Sequence, residues 1–219
     1  MGSRTILLIN PNSSAKTTEM MVGIAAASAP GRTRVVGATA TRSPLMITTH
    51  ATLLASADEV IEIGEREAKG MSGIIVGAYG DPGLERLRDI VSIPVVGICE
   101  ASMIEAASGG RRFGVATVTP ELADAIEERA RELKMHHLYS GIRLTSGDPI
   151  ELANDPARLE RALMAAVRDC VEKDHAEAVI IGGGPLGQAA SALAPRFEQP
   201  VIAPIPAAVR LLLGLIDPR

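Results

Sequence analysis

What the chain lacks narrows it first. It has no tryptophan, and two phenylalanines and two tyrosines bring the aromatic share to 2% of 219 residues. A core must therefore be built from Ala, Val, Ile, Leu and Met. With 47% apolar residues there is ample material for one large domain or two small ones. The only cysteines are Cys99 and Cys170, too few for a disulfide framework, so a reduced, cytoplasmic compartment is expected. There is no basic excess: 22 Lys and Arg against 26 Asp and Glu give a formal net charge of −4, which argues against nucleic acid as a partner. No apolar run approaches the roughly 18 residues of a membrane span. No signal peptide is read at the N-terminus, where Arg4-Thr5 leads straight into a strand-like run. The four histidines, at 50, 136, 137 and 175, show no ligand spacing, so neither a metal site nor a cofactor is expected.

What is present is organised around Gly73-Ile-Ile-Val-Gly-Ala-Tyr-Gly-Asp-Pro-Gly-Leu84 and its echo, Ala178-Val-Ile-Ile-Gly-Gly-Gly-Pro-Leu186. Each is a short β-branched run followed at once by small residues. That pattern reads as a strand buried on both faces, ending in a turn where backbone can come close to a ligand. Further strands are expected at 5–9, 34–37, 94–98, 113–117, 137–144 and 200–203. Helices are expected at 16–27, 53–69, 83–91, 101–108, 121–134, 157–173 and 207–215, with one ending within 191–197. The segments 41–50 and 148–155 read as loops. Pro44 and Pro149, like Gly77 and Gly182, stand 105 residues apart; Pro94 and Pro200 stand 106 apart, and Asn10 and Thr117 107. One nearly constant offset across four landmarks predicts an internal duplication. The expected fold is α/β: two pseudo-symmetric halves, each a four-stranded parallel sheet flanked by helices, with the active-site cleft between them. Residues 1–100 would form the first half and 101–206 the second, with 207–219 packing back on the first.

Several residues at the strand ends invite a chemical reading, each beside a plainer one. Cys99 follows a strand and precedes a helix, where a helix N-terminus lowers a thiol pKa; the plainer reading is a small buried hydrophobe. Cys170 reads as a packing residue. Tyr79 is a site wall or an acid, since a phenol with an ordinary pKa of about 10 is a poor base. Asp81 opens an Asp-Pro-Gly turn and doubles as a polar site residue. His50 lies in a polar loop with Thr48 and Thr49, and histidine suits acid/base work. Asn10 and Ser14 belong to a polar turn that caps a helix or faces a ligand. Thr117 and Thr119 mirror Asn10 and Asn12. Glu100, beside Cys99, suits a helix first turn. Gly182, Gly183 and Gly184 offer bare N–H groups, a cradle for a carboxylate or oxyanion.

Ile9-Asn-Pro-Asn-Ser-Ser14, Gly80-Asp-Pro-Gly-Leu84 and Pro94-Val-Val-Gly-Ile98 with Glu100-Ala101, set in two similar halves, resemble the Asp/Glu/hydantoin racemase superfamily, its hydantoin/allantoin branch above all. The resemblance covers nearly the whole chain. It implies a cofactor-independent isomerase that inverts a carbon next to a carbonyl, with two cysteines, one from each half, acting as base and acid on opposite faces. It implies a small-molecule substrate (a hydantoin-like ring, an amino acid or a small carboxylate), a homo-oligomer, and a cleft approached by the Asn10 turn and the Thr48–His50 loop. At the two positions where the family carries its cysteines, this chain has Ala78 and Gly183, which neither take nor give a proton. The sequence therefore leaves open racemisation, a one-sided lyase, isomerase or ring-opening reaction using Cys99, His50 or Tyr79, and ligand binding without turnover.

Overall fold

The computed structural model describes residues 4–218, and its elements follow the duplicated order. The first half comprises β1 (Arg4–Asn10), α1 (Ala15–Ser28), β2 (Thr33–Thr39), α2 (His50–Ala55), α3 (Ala57–Glu67), β3 (Gly73–Val76), α4 (Leu84–Ile90) and β4 (Val95–Gly97). Helix α5 (Ile98–Ala106) leads into β5 (Phe113–Thr117), α6 (Ala123–Glu132), β6 (Tyr139–Leu144), α7 (Pro149–Ala153), α8 (Pro156–Glu172), β7 (Ala178–Gly182), α9 (Gly187–Leu193), β8 (Val201–Ile202) and α10 (Pro204–Ile216). Two four-stranded sheets result, ordered β2-β1-β3-β4 and β6-β5-β7-β8, and every pairing is parallel. The chain runs from β1 outward to β2 and returns on the other side to β3. The strand ends at β1/β3, and likewise at β5/β7, are therefore topological switch points, where open α/β sheets leave a crevice.

Alternation along the strands sorts the core into three layers. Ile6 and Leu8 of β1, Ile75 and Val96 face Phe113, Val115, Ile180 and Ile202 of the second sheet across a shared helical layer. Leu7, Ile9, Ile74 and Val76 point the other way, onto Val60 and Ile63 of α3 and Leu87 of α4. Val179 and Ile181 do the same in the second half, onto Leu163 and Val167 of α8. Full burial of each such side chain contributes roughly 1.5–3 kcal/mol. The middle layer is exchanged between halves. Helix α5 follows the last strand of the first sheet yet packs on β7 and β8; α10 follows the last strand of the second yet packs on β3, β4 and α1. Among the described residues no helix is long and apolar enough to cross a membrane.

Several boundaries differ from the sequence reading, each for a local reason. The expected 53–69 helix is two, because Ser56 turns back: its Oγ donates to the Leu53 carbonyl at 2.7 Å. The expected loop at 148–155 holds α7, started by Asp148, whose carboxylate accepts from Ile150 and Glu151 N–H, with Pro149 at the first helical position. Helix α5 begins at Ile98 rather than near Ala101, so the expected division at 100/101 falls inside it.

The 41–49 segment is tied down at its root by Glu59 of α3. Its carboxylate accepts from Thr41 N–H at 2.6 Å, Thr41 Oγ1 at 2.8 Å and Arg42 N–H at 3.0 Å. Burial works to raise its pKa, but these donors win and hold it below the ordinary glutamate value. Bonds to a charged acceptor contribute about 1.5–3 kcal/mol each where water is excluded, and Glu59 is buried. Glu59→Ala is therefore expected to cost about 2 kcal/mol in urea unfolding and to open residues 41–49 to protease first. Because the folded pKa is depressed, this contribution is present above the unfolded carboxyl pKa and fades as pH falls through the folded one.

Candidate functional site

The two glycine turns at the switch points meet. A Cβ placed on Gly184 would stand 3.1 Å from the Gly77 carbonyl oxygen and 2.7 Å from Met21 Sδ; one on Gly182 would stand 3.1 Å from Tyr79 Cε1. Glycine is thus required by close approach between the halves. Ala78 and Gly183, on the two turns, are both partly exposed. Gly183 has φ 149°, and a Cβ there would lie 3.0 Å from Leu186 Cδ1. A side chain at this position is opposed by both backbone and neighbour. Over the first turn lies α2, whose Leu53 sits against Gly80.

Most of the polar residues singled out from sequence are engaged within the fold. Asn10 is 1% exposed, and its Nδ2 has Asn12 Oδ1 at 2.8 Å, Thr18 Oγ1 at 3.0 Å and the Ser14 carbonyl at 3.1 Å as acceptors. Its Oδ1 accepts from Asn12 N–H, so the amide organises its own loop. Ser14 caps α1 by accepting from Thr17 N–H. Thr49 caps α2 reciprocally with Thr52. Thr48 is partly exposed beside it, and His50 is exposed in the first turn of α2. Thr117 donates to the Gly182 carbonyl at 2.6 Å, joining the ends of β5 and β7, with Thr119 Oγ1 3.4 Å away.

Cys99 and Tyr79 are both enclosed. Cys99 does lie in the first turn of α5, but it is 0% exposed. Burial pushes its thiol well above the ordinary value, the Asp81 charge adds to this, and the Arg129 charge only partly opposes it. Desolvation outweighs the helix terminus, and of the two readings of Cys99 the small buried hydrophobe is the one this burial matches. Tyr79 is buried, and its phenol is likewise raised, by burial first and Cys99 next; Ser102 Oγ lies 3.5 Å from its oxygen. Cys170 is buried beneath the second sheet, with its thiol pushed up to about 12 by burial first.

Asp81 occupies a different kind of position. It sits at φ 51°, between Gly80 at 124° and Gly83 at 75°. Its carboxylate accepts from the N–H of Cys99 at 2.8 Å and of Glu100 at 2.7 Å, capping α5 from 18 residues upstream. A Cβ on Gly97 would lie 2.1 Å from Asp81 Cγ, so only glycine admits it. Arg129 of α6 reaches in from the second half: Nε is 3.4 Å from Asp81 Oδ2, and Nη2 donates to Glu100 Oε2 at 2.9 Å. Arg88 pairs with the other oxygen of Glu100. Burial pushes the Asp81 carboxyl up to about 7 against the Arg129 charge and the two N–H donors. Arg129 and Gly97 carry no local sequence signal: the first reads as a surface arginine on an amphipathic helix, the second as a strand residue.

A carboxyl near 7 suits a general base by pKa alone, but both oxygens of Asp81 cap a helix, so its role is structural. The turns can offer backbone donors to a polar group, without a titratable side chain at Ala78 or Gly183. Two surface cavities, of about 470 and 270 Å³, lie elsewhere, beside Met164 and Phe197 and beside His136 and Tyr139. Neither lies at the carboxyl ends of β1, β3, β5 or β7. Among the described residues no group of three or more His, Cys, Asp and Glu side chains is placed to hold a metal ion.

Two outcomes follow from this geometry. Both thiols should resist a disulfide reagent at pH 7 in the folded protein and react fully in denaturant; stoichiometric labelling of native Cys99 would contradict its burial. Ala78→Cys should leave stability within about 0.5 kcal/mol, whereas Gly183→Cys should cost about 1–3 kcal/mol; denaturant midpoints decide, and equal costs would refute the strain at residue 183.

The sequence and the fold have known counterparts. Hydantoin racemase from Rhizobium meliloti is 30% identical over 212 residues, 96% of this chain and 88% of that one. Hydantoin racemase from Pseudomonas sp. (strain NS671) is 29% identical over 213 residues, 97% and 86%. The structure of allantoin racemase from Klebsiella pneumoniae superposes with a TM-score of 0.92 at 25% identity, covering 98% of this chain and 88% of that one. The family model described as Asp/Glu/Hydantoin racemase matches residues 6–212, and the chain belongs to that family.

Proposed function

We propose that this chain acts on a small molecule whose acidic carbon lies next to a carbonyl, a hydantoin-like ring first among them, and does so without paired thiols. The observation that carries this reading is the meeting of two glycine turns with Ala78 on one and Gly183 on the other. Bare turns of this kind offer N–H groups to the oxygen that gains charge when the neighbouring carbon loses a proton or a carboxyl group. Inversion needs a base on one face and an acid on the other, and neither alanine nor glycine supplies one. The two thiols the chain does have are both buried. The hydantoin ring comes first because relatives spanning almost the whole chain are hydantoin racemases.

One-sided chemistry, whether ring opening, isomerisation or decarboxylation, fits these residues better than racemisation. His50, exposed on the helix that covers the first turn, is the candidate proton carrier. Binding without turnover is the second reading. It is favoured by the engagement of Asn10, Thr117 and Asp81 in the fold's own hydrogen bonds.

Proton NMR in D₂O over enantiopure 5-substituted hydantoins, allantoin, aspartate, glutamate and small malonates tests all of this. Consumption without loss of optical purity is the expected result, and His50→Ala should then slow it at least tenfold. Deuterium entry with racemisation above the protein-free control would sink the one-sided reading. A ligand that raises Tm without being consumed would favour binding alone, and neither consumption nor a Tm rise across the panel would remove the substrate class.

A further inference from the structure

The halves share an ionic contact as well as a core, and Arg129 of the second half stands at its centre. It lies in the last turn of α6 and is 7% exposed. Its Nη2 donates to Glu100 Oε2 at 2.9 Å and to Glu85 Oε1 at 3.1 Å, and its Nη1 to Glu132 Oε2 at 2.8 Å. Its Nε, 3.4 Å from Asp81 Oδ2, is buried without a hydrogen bond of good geometry. Of these four carboxylates only Glu132 belongs to its own helix. Burying such a cluster does not by itself add stability, because desolvation of the charges offsets their attraction. What a planar guanidinium supplies is a fixed geometry. Glu100 is held from the other side by Arg88, whose Nε donates to the Val95 carbonyl at 2.9 Å. Asp81 donates its N–H to the Ala78 carbonyl at 3.1 Å and accepts from the N–H groups of Cys99 and Glu100. A shift of Asp81 therefore carries the first glycine turn and the start of α5 with it. Both meet the second glycine turn: Tyr79 Cε1 lies 3.1 Å from where a Cβ on Gly182 would stand, and Ile98 Cδ1 3.4 Å from where one on Gly184 would.

We propose that Arg129 is a positioning residue for the candidate site: by holding Asp81 and Glu100 at once from α6, it sets the first strand-end turn in register with the second. It acts through those two carboxylates rather than on a ligand. The consequence for turnover rests on the reading that the two turns act together on one substrate; the register itself does not. Lysine keeps the charge but offers one ammonium in place of a fork, and cannot serve both carboxylates in the same geometry. A substrate would then still bind, with its reacting carbon misplaced. Positioning is therefore marked by a change of register with the charge kept, and by a fall in kcat with KM kept.

The test compares the full chain with Arg129→Lys and with Glu132→Gln, which removes only the exposed partner on α6. Register is read without any substrate, as proton NOEs from the Ile98 δ-methyl to Gly184 Hα and from the Tyr79 ring to Gly182 Hα. Both are expected to weaken in Arg129→Lys and to persist in Glu132→Gln. With whichever hydantoin or malonate is consumed, kcat of Arg129→Lys is expected to fall about tenfold at unchanged KM, measured well below Tm. Unchanged NOEs, a rise in KM alone, or a lower Tm with native kcat would each reduce Arg129 to a stabilising ion pair and overturn the proposal. If no compound is consumed, the catalytic reading of the site fails while the NOEs still decide the register. If Arg129→Lys does not fold, Glu100→Gln, which weakens one of the two holds, takes its place with the same expectations.

Discussion

The structure hangs on one carboxylate placed on one helix. Asp81 receives the first N–H groups of α5, and α5 lies in the layer that both sheets share. The two N–H donors and the Arg129 charge favour the ionised carboxyl, but enclosure outweighs them and leaves its pKa lifted from 3.8 to about 7. The group is held in place by geometry. The geometry is demanding: left-handed backbone at 80, 81 and 83, and no Cβ at Gly97. Ile98, first residue of the helix so fixed, in turn stands beside the second glycine turn at Gly184.

The second half meets the same problem differently. At the offset of 105 residues the counterpart of Asp81 is Leu186, which offers no acceptor. Helix α10, counterpart of α5, begins Pro204-Ile-Pro206 and has no side-chain cap. Two prolines in its first turn remove donors that would otherwise need partners. One half satisfies the helix start with a buried charge; the other deletes the demand. Leu186, freed from capping, packs against Gly183. The duplicated fold therefore carries an ionic junction on one side and an apolar one on the other.

The residues that announced themselves in the sequence were those whose signal is local. Short β-branched runs ending in glycine gave the strands, and a nearly constant offset gave the two halves. The start of α5 escapes the sequence pattern because its cap comes from 18 and 19 residues away, beyond any local window. Helix α7 was missed although Asp148-Pro149 is a start signal, because the surrounding residues read as loop. Cys99 shows the limit most clearly. Its place near a helix N-terminus is legible and leaves an activated thiol and a buried hydrophobe both open, and only enclosure by the fold separates them. Arg129 looked like one charge among many on α6; only the approach of the halves makes it a buried partner of Asp81.

This contrast bears on the turns themselves. A cysteine that works as base or acid needs space, donors and an ordinary backbone. Ala78 already carries a Cβ on a partly exposed turn, so the first position remains compatible with a side chain. Gly183 does not: φ 149° and the contact with Leu186 exclude a Cβ without rearrangement. The second turn is built on glycine throughout. Its backbone and its neighbour have settled around the absence of a side chain, which leaves N–H groups as the chemistry available on that face. The two turns are therefore not equivalent: the first carries a Cβ at Ala78, and the second is shaped around bare backbone.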